Sequence, residues 1–329
     1  MARRFINQLG EHETVDQVFL VTDKQLRTNR NGNLYLQLRL ADRTGTVTAM
    51  LWNAGDQAYG GFDNGEYVRV QATTQFYNGA LQMIAQRVER ADASTIDESE
   101  FRTLATTDID QLAGRLAEML RAVKNHHLRA LAESYLMDEA FMSKFLRAPA
   151  GVKNHHAYPG GLVEHVVSLM RLTSAVAPLY PDLDGDLLLL GAFLHDVGKV
   201  DELTYDRELG YSDEGQLIGH LVMAVEMLDL KIQETQKLSG EAFPERMKLL
   251  LKHMILSHHG EYEFGSPKLP MTPEAVALHY LDNLDAKLEL FRLLIQGDAN
   301  TESNWTPFQP TLGRKIFKAP AADYTTDES

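Results

Sequence analysis

Residues 187–199 read LLLLGAFLHDVGK: eight residues without a charge, then the pair His195-Asp196, then Gly198-Lys199. The apolar run reads as a buried helix. Neighbours on a helix point about 100° apart, so His195 and Asp196 converge on one centre only where the helix ends. Gly198, two residues past Asp196, is placed to supply that end. Working outward, His165 comes before this stretch, and His220, His258-His259 and Asp282 come after it. Imidazoles and carboxylates recurring on helices are the ligands of divalent cations.

The segments around the pair carry helical spacing. Ile109–Val123, Asn125–Glu133, Glu139–Leu146, Gly161–Ala177, Ile218–Ile232, Pro244–His258 and Thr272–Ile295 each repeat apolar residues with a helix period. Pro178 and Pro181 close the fourth of these, and Thr272-Pro273-Glu274 opens the last as a cap followed by proline at the first helical position. Before about residue 92 the pattern is different. VFLVTDKQLR, NLYLQLRLAD, TGTVTAMLWN, EYVRVQATTQFYN and ALQMIAQRVE alternate as strands. Leu34, Leu36, Leu38 and Leu40 fall on one face and Tyr35, Gln37 and Arg39 on the other. Asn31-Gly32, Asp42 to Gly45, Asn64-Gly65 and Asn78-Gly79 mark turns. Five strands with a longer break, GDQAYGGFDNG, after the third match an OB-type barrel.

The fold class expected is therefore multi-domain α+β, a five-stranded OB-type β-barrel followed by an all-α domain. Its boundaries are read as 1–92 for the barrel, 93–150 for a helical linker region and 151–298 for the domain bearing the histidines. Residues 299–329 are read as an extension ending in a disordered acidic tail.

The chain has 329 residues and no cysteine. That excludes disulfides and thiolate metal sites and leaves only nitrogen and oxygen ligands. It also fits a reducing compartment, and a cytoplasmic location is expected. No uninterrupted apolar run approaches the roughly 18 residues of a membrane span. The N-terminus MARRFINQLGEHE lacks the apolar core of a secretory signal. The net charge is −14; residues 1–98 carry 10 Lys/Arg against 12 Asp/Glu, leaving 22 against 34 beyond them. This balance disfavours nonspecific duplex binding, while a local groove, or cations that reverse the sign at a site, still allow a polyanion.

A single histidine among apolar residues is more often a satisfied core or cap residue, and a His-Asp dipeptide alone is weak. The ordered set carries the signal. Asp196 has two carboxylate oxygens and can bridge two cations. His165 lies on an apolar helix, where an unpaired imidazole is costly. Asp282 sits among Val276, Leu278, Leu281, Leu284 and Leu288 and needs a partner, for which a metal is well suited. Asp285 supports a ligand or a helix contact.

NHHAYPGGLVEHV, FLHDVGKVDE, Gly219-His220 and ILSHHGEYEFGSPKLPMTPEAVALHYLDNLDAK together resemble the HD-domain metal-dependent phosphohydrolases. With the barrel in front, the chain resembles the YhaM-type 3′–5′ exoribonucleases over about residues 15–320. The resemblance implies a metal set of His165, His195, Asp196 and Asp282, extended in two-metal members by His220, His258 and His259. One cation would be held by the first four residues and a second by Asp196 with the three further histidines, leaving open which of His258 and His259 ligates. Two such cations activate water at phosphorus and stabilise the leaving oxygen. Manganese is the family-guided choice among Mn, Fe, Co, Ni and Mg. Lys199 matches the family lysine and reads equally as a phosphate holder or a solvated side chain. His155, His156 and Tyr158 precede the His165 helix; His156 is taken as a catalytic candidate at the scissile phosphate, against a structural role in the Pro159-Gly160-Gly161 turn.

On the barrel, Phe19, Tyr35, Trp52, Phe76 and Tyr77 are interspersed with Arg27, Arg30, Arg39, Arg43 and Arg69, the combination that stacks bases and meets phosphates in single-strand binding. At least half of the aromatics are expected in the core. Tyr35, Trp52, Arg39 and Tyr77 are the nucleic-acid candidates, with Trp52 readable as core or platform. The leading reading is a 3′–5′ exonuclease of single-stranded RNA, with DNA as a further substrate, releasing nucleoside 5′-monophosphates. One alternative is a nucleotidase or cyclic-dinucleotide phosphodiesterase, which leaves the barrel without a task. Another is a non-catalytic nucleic-acid-binding accessory factor, which leaves seven ligand-type residues unexplained.

Overall fold

In the computed structural model, the residues described are 3–318 apart from 30, 55, 78–79, 93–95, 98–99, 102–105, 153–157, 206–208, 297, 299–302 and 311. Strands β1 (Thr14–Thr28), β2 (Leu34–Asp42) and β3 (Gly45–Trp52) are followed by a short helix α1 (Asp56–Tyr59) and by β4 (Tyr67–Tyr77) and β5 (Ala80–Arg90). They close into a barrel in the order β1-β2-β3-β5-β4. β1 pairs antiparallel with both β2 and β4, and β3 lies parallel to β5. The helix α1 falls in the longer break after the third strand. This is the five-stranded OB-type barrel that the strand pattern predicts.

The two-residue period decides what faces inward. Leu36, Leu38 and Leu40 are all but inaccessible, with Phe19, Val68, Val70 and Met83 filling the space between them. Each such side chain contributes roughly 1.5–3 kcal/mol by leaving water. Leu34 keeps the register of that face but is exposed. Its partner on β1 is Thr28, one rung beyond Trp52, the last residue of β3, so no third strand covers it. The expectation for the aromatics also fails: of the five only Phe19 is fully buried, and Trp52 and Tyr77 are exposed. Aliphatic side chains and Phe62 occupy the interior instead.

Beyond the barrel most of the regular structure among the described residues is helical. The helices are α2 (Thr106–Arg121), α3 (His126–Leu136), α4 (Glu139–Phe145), α5 (Gly161–Val176), α6 (Gly185–Leu194), α7 (Lys199–Glu202), α8 (Asp213–Leu217), α9 (His220–Ser239), α10 (Glu245–Ser257) and α11 (Pro273–Gln296). Their starts follow local chemistry. Asn125 accepts from the His127 and Leu128 amides, Asp138 from Phe141, Asp184 from Leu187 and Thr272 from Ala275. α6 is apolar around its circumference and lies in the middle of the core, touching α5 and α10. The stretch Gly161–Leu179 is long and apolar enough by composition for a membrane span, with a mean hydropathy of 1.2. Leu162, Val163, Val166, Leu169 and Met170 are nevertheless buried in this core.

Leu116, Leu120, Leu128, Leu131 and Tyr135 share that core with α5 and α6. The chain forms two compact units, residues 1–103 with 290–329 and residues 104–289. The sequence pattern did not show a small hairpin, β6 (Leu203–Thr204) with β7 (Gly210–Tyr211), or the helices flanking it. Nor did it show the bridges Trp305–Phe317 and Gln309–Arg314 in the C-terminal segment. The acidic tail, 319–329, lies outside the described residues.

Candidate metal centre

Three helix ends and two helix faces bring the predicted ligands together. His165 and Asp282 project from within α5 and α11. His195 caps the C-terminus of α6 with Asp196 next to it, His220 is the first residue of α9, and His258 caps α10. Gly198 differs from the expected helix-end glycine. Its φ is −63°, ordinary right-handed backbone; what it provides is room, since a Cβ there would lie 2.2 Å from the His220 carbonyl oxygen. The start of α9 can thus approach the His195-Asp196 turn. Gly260 is the left-handed residue, with φ +79°, and it ends α10 so that His258 and His259 both reach the centre.

Asp196 organises two groups. Its Oδ2 lies 3.3 Å from His195 Nε2 and 3.9 Å from His165 Nε2, while Asp282 Oδ1 lies 3.2 Å from His165 Nε2 and 3.9 Å from His195 Nε2. Its Oδ1 faces the other way, 3.5 Å from His220 Nε2 and 3.6 Å from His258 Nε2. The ligand atoms of His220, His258 and His259 all lie within 4.8 Å of one another. The structure therefore brings all seven candidates into one cluster.

Every imidazole in it has its Nδ1 occupied. His195 donates to Ala192 O at 2.8 Å, His258 to Ile255 O at 2.9 Å and His259 to Phe264 O at 2.9 Å. His165 meets Asp285 Oδ2 at 3.2 Å and His220 meets Glu202 Oε1 at 2.9 Å. Such partners fix ring orientation and tautomer and leave the Nε2 lone pair for a metal. Burial lowers the His258 pKa well below its ordinary value and also lowers that of His259, aided by His195 and His220 respectively, which keeps both rings in the neutral form that coordinates.

The charges favour cations. Asp196, Asp282, Asp285 and Glu202 converge here, and Lys199 is bonded to the first of them. Burial would raise the Asp196 carboxyl, yet Lys199 and His195 outweigh it and hold it well below the usual range. Burial would likewise lower His165, but Asp282 and Asp285 prevail and raise it to about 10, so a cation bound there would displace the proton from His165 Nε2. Asp196 Oδ1 and His220 Nε2 are buried without any hydrogen-bond partner. An orphaned carboxylate oxygen facing an orphaned imidazole nitrogen is costly unless something binds between them, so the donor set fits divalent metal.

Lys199 donates to Asp196 Oδ2 at 2.7 Å and to Ala150 O at 2.8 Å; it is not an ordinary solvated lysine. His155 and His156 lie outside the described residues, while Tyr158 donates to Glu164. On the barrel, Tyr35 and Trp52 are register partners with ring centroids 5.0 Å apart, so Trp52 is a surface ring. Arg39 lines a groove of about 290 Å³ with Gln37, Thr46, Thr48 and Ala80. Tyr77 pairs with Ala80, at the Arg39 end of this face and away from Tyr35. Arg69 is tied to Asp16 at 2.6 Å, and Arg43 lies over the Phe5 ring at 4.2 Å. Arg30 is outside the described residues.

Two residues of the centre were not anticipated. Glu202 is 7 % exposed and is bonded to His220. His279 donates from Nδ1 to His258 O at 2.8 Å and packs against Gly260. In sequence, Glu202 looks like one more acid after a short charged run, and no spacing rule marks it; His279, three residues before Asp282 on an apolar helix, was the more visible.

An HD-domain model matches residues 162–287, and an OB-fold nucleic acid binding domain model matches residues 20–91. The chain is 35 % identical to the 3′-5′ exoribonuclease YhaM of Bacillus velezensis over 86 % of its own length and 87 % of the relative's. It is 34 % identical to that of Bacillus subtilis, over 87 % and 88 %, and 36 % identical to that of a Geobacillus strain, over 84 % of each. Barrel and helical unit are thus matched in one alignment that spans most of both chains, and the chain belongs to the YhaM family of 3′–5′ exoribonucleases.

Proposed function

We propose that the protein is a metal-dependent 3′–5′ exoribonuclease that shortens single-stranded RNA, and single-stranded DNA as a second substrate, to nucleoside 5′-monophosphates. The observation that carries this reading is the split Asp196 carboxylate, one oxygen toward each group of imidazoles, in a chain of this family. His165, His195, Asp196 and Asp282 would hold one divalent cation, and Asp196, His220, His258 and His259 a second, with Mn²⁺ preferred. Such cations supply Lewis acidity toward the phosphate and an activated water.

The side chains around them have separate tasks. Lys199 has three donors; Asp196 and Ala150 take two, and the third is left for a phosphate oxygen of the strand. His156 would act at the scissile phosphate. The barrel, residues 1–92, would grip the strand by stacking bases on Tyr35 and Trp52, with Arg39 and Tyr77 farther along the same face. Residues 93–150 would lead from it to the HD domain at 151–298, their helices packed into the same core as α5 and α6, with 299–329 as a C-terminal extension. A cytoplasmic location goes with this substrate.

Single-stranded RNA labelled at its 5′ end, incubated with the Mn²⁺-loaded protein, tests the reading. Progressive shortening of labelled products is expected. Immediate release of the label as mononucleotide would reverse the polarity. An intact strand alongside hydrolysed mononucleotides or cyclic dinucleotides would replace the reading with the nucleotidase alternative.

A further inference from the structure

Glu202 is the last residue of α7, and its Oε1 accepts two hydrogen bonds from a single residue: the His220 main-chain N–H at 3.0 Å and Nδ1–H at 2.9 Å. A doubly held histidine cannot rotate its ring without breaking one of the two. Its Nε2 is thereby aimed at Asp196 Oδ1, 3.5 Å away. Within the second ligand group the Nδ1 partners are unequal. His258 and His259 lean on backbone carbonyls, whereas His220 alone of the three leans on a carboxylate. A carboxylate behind an imidazole raises its strength as a ligand more than a carbonyl does. In the first group Asp285 has the same relation to His165, and it is itself bonded to Ser168 at 2.7 Å. Each half of the cluster therefore has a carboxylate of its own behind one histidine.

Glu202 is held from outside the cluster. Its carbonyl oxygen accepts from the Ser212 amide at 2.9 Å. Ser212 Oγ donates to Asp201 O at 2.8 Å and accepts from the Gly215 amide at 2.9 Å. Gly215 lies so close that a Cβ there would sit 2.2 Å from Glu202 O, which is backbone and cannot yield cheaply.

We propose that Glu202 is the positioning residue of the second cation: it fixes His220 as a ligand, the Ser212–Gly215 turn fixes Glu202, and occupancy of the second position is thereby set independently of the first. This rests on the two-cation reading above. The full-length protein is loaded with Mn²⁺ and bound metal is counted by mass spectrometry, alongside the electron paramagnetic resonance spectrum. Glu202→Gln keeps an acceptor oxygen of the same shape and removes the charge. It is expected to bind the second Mn²⁺ about 10–100-fold more weakly, to retain the first, and to exchange the spin-coupled signal for that of a single ion. Gly215→Ala, which removes no imidazole or carboxylate but pushes on the Glu202 backbone, is expected to lose the second ion too.

Two ions bound with unchanged affinity and an unchanged coupled signal in Glu202→Gln would overturn the proposal, as would loss of both ions together. An unaltered second ion in Gly215→Ala would remove the part given to the turn. If the unsubstituted chain bound no Mn²⁺, the metal-centre reading itself would fall, and this proposal with it.

Discussion

Asp196 Oδ1 and His220 Nε2 face each other at 3.5 Å, both buried and neither with a hydrogen-bond partner. The other oxygen of the same carboxylate is engaged by Lys199 and lies 3.3 Å from His195. A side chain placed this way belongs to both halves of the cluster, whereas His220 belongs to one. Asp196→Asn is therefore expected to lose both cations and His220→Ala only one. Turnover should fall by on the order of 10³-fold or more in the first case. Metal content measured beside single-turnover rates checks this; equal metal loss in the two variants would contradict it.

Gly260 and His279 give a test of the tandem histidines. A Cβ on Gly260 would fall 2.0 Å from His279 Cε1, and φ is +79°. Gly265 has a similar φ of +82° with open space around it. Gly265→Ala should cost only the left-handed strain, about 1–2 kcal/mol. Gly260→Ala should cost more in urea unfolding, and it should also weaken metal binding, since His279 anchors the His258 carbonyl.

Acid sensitivity should trace in part to Asp138. Lys231, 7 % exposed, donates to Asp138 Oδ2 at 2.8 Å and Glu234 Oε2 at 2.8 Å. The hydrogen bond from Lys231 and then the Phe141 amide lower the Asp138 pKa. A depressed folded value means that the contribution is fully present above the unfolded pKa of about 3.9 and is lost as pH falls through the folded value. Melting of metal-free protein from pH 6 down to about pH 3 should show a shallower decline for Asp138→Asn than for the unsubstituted chain. Parallel curves would contradict the assignment.

On the barrel, Tyr35→Ala should weaken single-stranded RNA binding by about 1–3 kcal/mol, the worth of one stacked base. Cleavage of a small phosphodiester should remain intact. Because Tyr35 and Trp52 are in contact, the double substitution should cost less than the sum of the two singles. Equal losses on RNA and on the small substrate would remove the stacking role.

Much of this was legible in the sequence for identifiable reasons. Leu36, Leu38 and Leu40 face one way because the strand period is two, and the cap at Thr272 is local chemistry. The ordered histidines and aspartates announced the cluster because each is expensive to bury alone. What escaped depends on tertiary context. Leu34 is exposed only because β3 stops a rung early, and Gly198 serves close approach rather than a left-handed turn. Glu202 becomes buried through a hairpin too short to show a period, and nothing in KVDE distinguishes its last residue from a solvated acid.

In the proposed reaction, the His195-Asp196 cluster removes nucleotides from the strand that the barrel holds. The most direct test is a time course on 5′-labelled single-stranded RNA with Mn²⁺, comparing the unsubstituted protein with His195→Ala and Asp196→Ala and measuring RNA affinity in parallel. The expected result is progressive shortening by the unsubstituted protein, and an intact strand bound with undiminished affinity by both variants. Undiminished shortening by either variant would rule out this cluster as the site of cleavage.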